Sequence, residues 1–246
     1  MKALLLSQKG LVLNKPPLLF VFFGESNSGG IAPNSSATIQ ELAPRNLKIL
    51  NNSTLQIEPL DIGTNNLIGH SGLEYAMYNS HGMELELANK YDENFFPNND
   101  VILVKCGQGG SKVSEWTNGS QYWNTMMSRI NTIKSILFAN NPVNIKVMLS
   151  IGINNKGINT PVATYKAGLK DMIQRAKTEI GANISIMKFE FVTNLAISDY
   201  NTAISEVASE EGVATFSTNG LTKIADGYHL DYLGMKWACN NFLNSL

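Results

Sequence analysis

Leu18-Leu19-Phe20-Val21-Phe22-Phe23 is an unbroken apolar run stopped by Gly24, and it constrains the fold more than any other feature of the chain. A strand with one wet face alternates apolar and polar residues; this run does not, so both of its faces must be covered, as in a parallel sheet between two layers of helices. Val101-Ile102-Leu103-Val104, ahead of Cys106-Gly107, has the same character, as does Ile145-Lys146-Val147-Met148-Leu149-Ser150-Ile151, ahead of Gly152. Ile184-Ser185-Ile186-Met187 through Phe191-Val192 forms a fourth strand on this reading, and Val213-Ala214-Thr215-Phe216 a fifth. Between and after them the apolar spacing is helical, over Gly82 to Tyr91, Tyr122 to Asn140, Val162 to Ile180, Asp199 to Glu211 and Tyr232 to Leu246. Strand and helix alternate, which predicts an α/β fold: a three-layer α/β/α sandwich around a central, mainly parallel five-stranded sheet with right-handed crossovers.

A chain of 246 residues, 43% of them hydrophobic, suffices for one sizeable core, and residues 1–246 are expected to form one domain. Residues from about 29 to 80 stand apart. They are rich in Asn, Ser, Gly and Pro and lack a long periodic segment, so they read as a long loop excursion at the C-terminal end of the first strand, where open α/β sheets bind ligands.

The formal net charge of −1 leaves no basic excess for nucleic acid or an anionic membrane surface, and neither is an expected partner. Cys106 and Cys239 are far apart and form no metal knuckle or disulfide framework. Met1-Lys2-Ala3-Leu4-Leu5-Leu6 is cut off by Ser7-Gln8-Lys9-Gly10, short of a signal peptide, and no apolar stretch reaches the roughly 18 residues of a membrane span. As written, the chain is expected to be soluble and cytoplasmic unless an export signal has been removed. Its oligomeric state is not encoded in any readable pattern.

Gly24-Glu25-Ser26-Asn27 puts a serine at the carboxyl edge of the sheet directly after the first strand. Alone, such a serine is more often a turn former or helix cap than a nucleophile. As a nucleophile it needs a base, most often an imidazole held by a third group. His229 follows Asp226 by three residues in Asp226-Gly227-Tyr228-His229-Leu230, a separation that lets the carboxylate reach Nδ1 and leaves Nε2 for the serine. His70 and His81 have no Asp at that spacing. No G-x-x-x-x-G-K-[ST] or G-x-G-x-x-G phosphate cradle is present. Ser28 breaks the G-x-S-x-G elbow of conventional α/β-hydrolases.

Gly24-Glu25-Ser26-Asn27, Gly109-Gly110-Ser111, Gly152-Ile153-Asn154-Asn155 and Asp226-Gly227-Tyr228-His229 together resemble, in order, the four sequence blocks of SGNH/GDSL hydrolases. The resemblance is greatest to the sialate O-acetylesterase and acetylxylan esterase branch, whose first block reads Gly-Gln-Ser-Asn; His81-Gly82-Met83-Glu84-Leu85 and the Trp116 downstream of Gly109-Gly110-Ser111 are also similar to that branch. Glu25 replaces its Gln, and the third block lacks its Trp-x-Gln-Gly-Glu. The resemblance implies a flavodoxin-like SGNH fold and a serine esterase acting on short-chain, O-acetyl esters of a carbohydrate without metal or organic cofactor. It further implies a triad of Ser26, Asp226 and His229, with the backbone N–H of Ser26, that of Gly109 or its neighbour Gly110, and the amide of Asn154 as oxyanion donors, and Trp116 near the substrate. A catalytically inactive carbohydrate-binding relative and a lipase- or thioesterase-type SGNH hydrolase are the alternatives. Glu25 is assigned no role, Glu84 is read as a helix-capping acid and His81 as an ordinary loop histidine.

Overall fold

A computed structural model of the chain describes residues 17–43, 45–65, 80–97, 99–137 and 143–246. The expected strands and helices are present, together with several elements inside the stretch read as a loop. In chain order, the first part comprises β1 (Leu18–Gly24), α1 (Ser26–Gly29), β2 (Ala32–Pro33), α2 (Ile39–Leu42), β3 (Arg45–Leu50), β4 (Ile57–Leu60), β5 (Ser80–His81) and α3 (Glu84–Asp92). The second comprises β6 (Val101–Gly107), α4 (Gln121–Leu137), β7 (Asn144–Ser150), α5 (Ile153–Gly157), α6 (Val162–Ile180), β8 (Ala182–Met187), α7 (Ser198–Glu211), β9 (Ala214–Phe216) and α8 (Tyr232–Asn244).

The central sheet has seven strands, not five, in the order β4-β3-β6-β1-β7-β8-β9. All its pairs are parallel except β3 with β4. The two additional strands come from the Asn- and Pro-rich excursion. Sequence patterning misses them for local reasons: β3, next to the edge, mixes polar and apolar residues over Arg45–Leu50, and the edge strand β4 contains Pro59, which it tolerates because it needs no donor on its open side. β8 also ends earlier than expected. Phe191 and Val192 are buried but lie beyond the strand, where Val192 N–H donates to Phe189 O in a turn. Residues 66–79, among them His70, and the end of the helix expected to reach Asn140 lie outside the described residues.

The apolar run of β1 shows why the sheet needs two helical layers. Successive side chains leave a strand on opposite faces. Phe20 and Phe22 pack edge-on against Phe242 of α8, whereas Phe23 packs against Trp116 and against Trp123 of α4. α3 and α8 pack together over one face, and α6 and α7 together over the other.

β1 sits between β6 and β7, with Gly24 level with both Gly107 and Ser150. The chain leaves β1 toward β6 on one side and returns to β7 on the other. The carboxyl end of β1 is therefore a topological switch point, where loops diverge and leave a crevice. Gly24 adopts a φ of 115°, and a Cβ on it would lie 2.1 Å from Ser150 O. Only glycine lets β1 and β7 run this close immediately before the serine.

Candidate active site

Ser26 is the first residue of the short helix α1, so its backbone N–H is one of the donors that a helix start leaves without an intrahelical partner. The serine is nearly buried, at 9% exposure. Opposite it, the chain between β9 and α8 folds back on itself: Lys223 bridges Leu230, Ile224 N–H donates to His229 O, and Asp226-Gly227 lies at the tip. Asp231 then caps α8 by accepting from Gly234 N–H, which anchors the base of this loop.

These elements bring the three predicted residues into one line. His229 Nε2 is 2.7 Å from Ser26 Oγ, and His229 Nδ1 is 2.5 Å from Asp226 Oδ2. Because the carboxylate only accepts, Nδ1 carries the proton and Nε2 is left to accept from the serine hydroxyl. Asp226 Oδ1 accepts from the N–H groups of Tyr228 and His229. Partial burial works against the Asp226 charge, but the bond from His229 and those two backbone donors outweigh it and hold the carboxyl below its usual range.

Asn27, the neighbour of Ser26, holds the histidine loop in place. Its Nδ2 donates to Tyr228 O at 3.0 Å and its Oδ1 accepts from Leu230 N–H at 3.1 Å, so one fully buried amide grips the backbone on both sides of His229. An Asn after a loop serine carries no sequence signal for such a role, since its partners lie some 200 positions away along the chain.

Gly109 and Gly110 form the centre of a turn in which Ser111 N–H donates to Gln108 O. Gly110 has a φ of 69°, as the third position of a type II turn requires. Asn154, at the start of α5, donates from Nδ2 to Gly110 O and so bridges the second and third blocks. An amide nitrogen has two protons, so one remains for another acceptor. Its neighbour Asn155 adds a tie, its Oδ1 accepting from Val113 N–H.

Trp116, expected near the substrate, lies in the core at 1% exposure. Its indole N–H donates to Ser111 Oγ at 3.0 Å and its ring packs on Phe23 and Tyr122. It braces the Gly109-Gly110-Ser111 turn from beneath and offers no platform for a sugar. Glu25, given no role from sequence, is 1% exposed; its Oε1 accepts from Ile153 N–H at 2.9 Å and its Oε2 from Asn154 N–H at 3.0 Å. His81 is not a loop residue but is buried in β5, its Nδ1 on Asn34 Oδ1. Glu84 does more than serve its helix: it accepts from Gly82 N–H and forms a fully buried ion pair of 2.8 Å with Lys105. Among the described residues no three His, Cys, Asp or Glu side chains group as metal ligands would.

Residues 16–245 match the model of the carbohydrate esterase, sialic acid-specific acetylesterase family. The chain belongs to that family. It is accordingly a carboxylic ester hydrolase. Among solved structures it resembles a protein from Arabidopsis thaliana, with 15% identity, a TM-score of 0.69 and coverage of 94% of this chain and 99% of that one. It also resembles NanS, with 12% identity, a TM-score of 0.66 and coverage of 95% and 97%. XAC1771, a carbohydrate acetylesterase from Xanthomonas citri, is similar at 13% identity and a TM-score of 0.57, over 91% of this chain and 54% of that one. At these identities the likeness is one of fold. No curated protein matches the sequence significantly. Among the described residues of this esterase, no helix is long and apolar enough to cross a membrane.

Proposed function

We propose that this esterase removes short acyl groups, O-acetyl foremost, from a carbohydrate through an acyl-enzyme formed on Ser26, and that residues 1–246 act as one catalytic domain. The hydrogen-bonded line from Ser26 Oγ through His229 to Asp226 carries this reading. His229 takes the serine proton as Oγ attacks the ester carbonyl, and Asp226 holds the imidazole in the right tautomer and offsets the charge it gains. The tetrahedral oxyanion is met by the N–H of Ser26, the N–H of Gly109 or Gly110, and the second amide proton of Asn154. The imidazolium returns its proton to the leaving alkoxide, and the same base then activates the water that releases the acid. The family match supports the carbohydrate ester as substrate. The single-domain reading draws support from one sheet that pairs strands from Leu18 to Phe216.

Hydrolysis of p-nitrophenyl acetate and of longer-chain esters tests this directly. Ser26→Ala and His229→Ala are each expected to lose at least about 10³-fold in kcat, and acetate is expected to be preferred over long acyl chains. A Ser26→Ala variant that retained most of the activity would falsify the acyl-enzyme reading, and a preference for long chains would move the substrate to lipids.

A further inference from the structure

The triad leaves Glu25 unused, although its carboxylate adjoins the nucleophile and is enclosed by protein. The two N–H groups it accepts, from Ile153 and Asn154, open the short helix α5 and have no partners within it. Both oxygens of an ionised carboxylate accept. A protonated carboxyl keeps only a weaker acceptor on its hydroxyl oxygen, so it accepts the same two N–H groups less strongly. The pair of bonds therefore favours the ionised form. Asn154 is also the residue whose side-chain amide reaches across to Gly110 O. Glu25 thus joins the peptide unit next to Ser26 to the backbone from which the Asn154 amide projects.

We propose that ionised Glu25 is a positioning residue that fixes the backbone of Asn154, and through it the oxyanion-binding amide, so that activity requires the Glu25 carboxyl to lose its proton. The proposal rests on the triad and oxyanion assignment above. The groups that face the carboxylate are the N–H donors of Asn154, Ile153 and Gly152, and the phenol of Tyr165 on α6, which donates to Ile151 O. Among the described residues its charge is met by backbone donors and not by a cation. Burial dominates and pushes the Glu25 pKa up to about 7, so this group titrates where an esterase works and not far below. Glu25 has no contact with the triad in the hydrogen-bond network, and a carboxylate that only filled space would leave the pH profile unchanged.

The test is the acid limb of kcat and kcat/KM for p-nitrophenyl acetate in wild type, Glu25→Gln, Asn154→Ala and the double variant, with Ser26→Ala as control. The acid limb of log kcat/KM is expected to be steeper in the wild type than in Glu25→Gln, which lacks the carboxyl proton. Glu25→Gln should lower the plateau kcat by roughly ten-fold or more with little change in KM, and should cost almost nothing further in the Asn154→Ala background. Acid limbs of equal steepness in the wild type and Glu25→Gln overturn the proposal. An undiminished Glu25→Gln penalty in the double variant overturns the route through Asn154. An inactive Ser26→Ala alongside either result leaves the triad intact and removes only the role of Glu25; an active Ser26→Ala removes both.

Discussion

A carboxylate such as Glu25, with no counter-ion among the described residues and beside the proposed nucleophile, costs stability that a neutral side chain in the same place would keep. The Glu25 pKa stands at about 7 in the fold against 4.5 as the ordinary value, chiefly through burial, so the folded protein holds this proton more tightly than the unfolded chain. The favourable contribution is complete below pH 4.5 and is lost as pH rises toward 7, because there the unfolded chain ionises freely while the folded one resists. The shift corresponds to a loss on the order of 3 kcal/mol. Urea unfolding at a series of pH values should show this decline in the wild type, and Glu25→Gln should lack it. A parallel pH dependence in the two proteins would mean that Glu25 ionises as freely in the fold as out of it. The direction is informative, since the form that the proposed mechanism needs is the less stable one, an arrangement expected at a functional site.

At the scale of elements, the site is a meeting of loop ends. The ends of β1, β6 and β7 are level, so the serine turn, the glycine turn and the start of α5 are adjacent as a consequence of strand register. The histidine loop belongs to none of these strands. It reaches them from the segment before α8 and is held by Asn27 through Tyr228 O and Leu230 N–H. Asn27→Ala leaves both backbone groups without that partner, at a cost of about 1–3 kcal/mol in stability for buried groups of this kind. Because those bonds flank His229, kcat should fall by about ten-fold or more in a protein that remains folded, with KM little altered. Circular dichroism with steady-state kinetics checks both effects. Unchanged kcat would show that Asp226 and the α8 cap suffice to hold the imidazole.

At the scale of the whole molecule, β6 is stabilised in an unusual way for a central parallel strand. Lys105 is fully buried and paired with Glu84 of α3, which couples the sheet to the helical layer above it. Removing one partner of such a pair strands the other charge, so Lys105→Met is expected to lower the unfolding free energy by about 3–5 kcal/mol, measured by denaturant titration. A loss below about 1 kcal/mol would show that Glu84 finds its compensation in Gly82 N–H alone. The parallel architecture itself was legible from Leu18–Phe23 and its counterparts, because burial on both faces leaves a composition that no other strand environment requires. The line of Ser26, His229 and Asp226 on which the proposed triad rests was legible because a triad restricts residue type and because two of its members are three positions apart. The rim strands Arg45–Leu50 and Ile57–Leu60 were not, since half-exposed strands with a proline share their composition with loops. The burial of Trp116 and Glu25 was not legible for one reason: side-chain burial is a property of what packs around a residue. An indole two turns from a glycine motif and a carboxylate beside a loop serine look the same in sequence whether they face water or the core. By itself the sequence determined the layer pattern and pointed to the proposed reactive groups, through local periodicity and residue chemistry. Only the tertiary structure decided which side chains hold those groups in place, because the partners of Asn27, Glu25 and Trp116 are brought to them by strand register and helix packing.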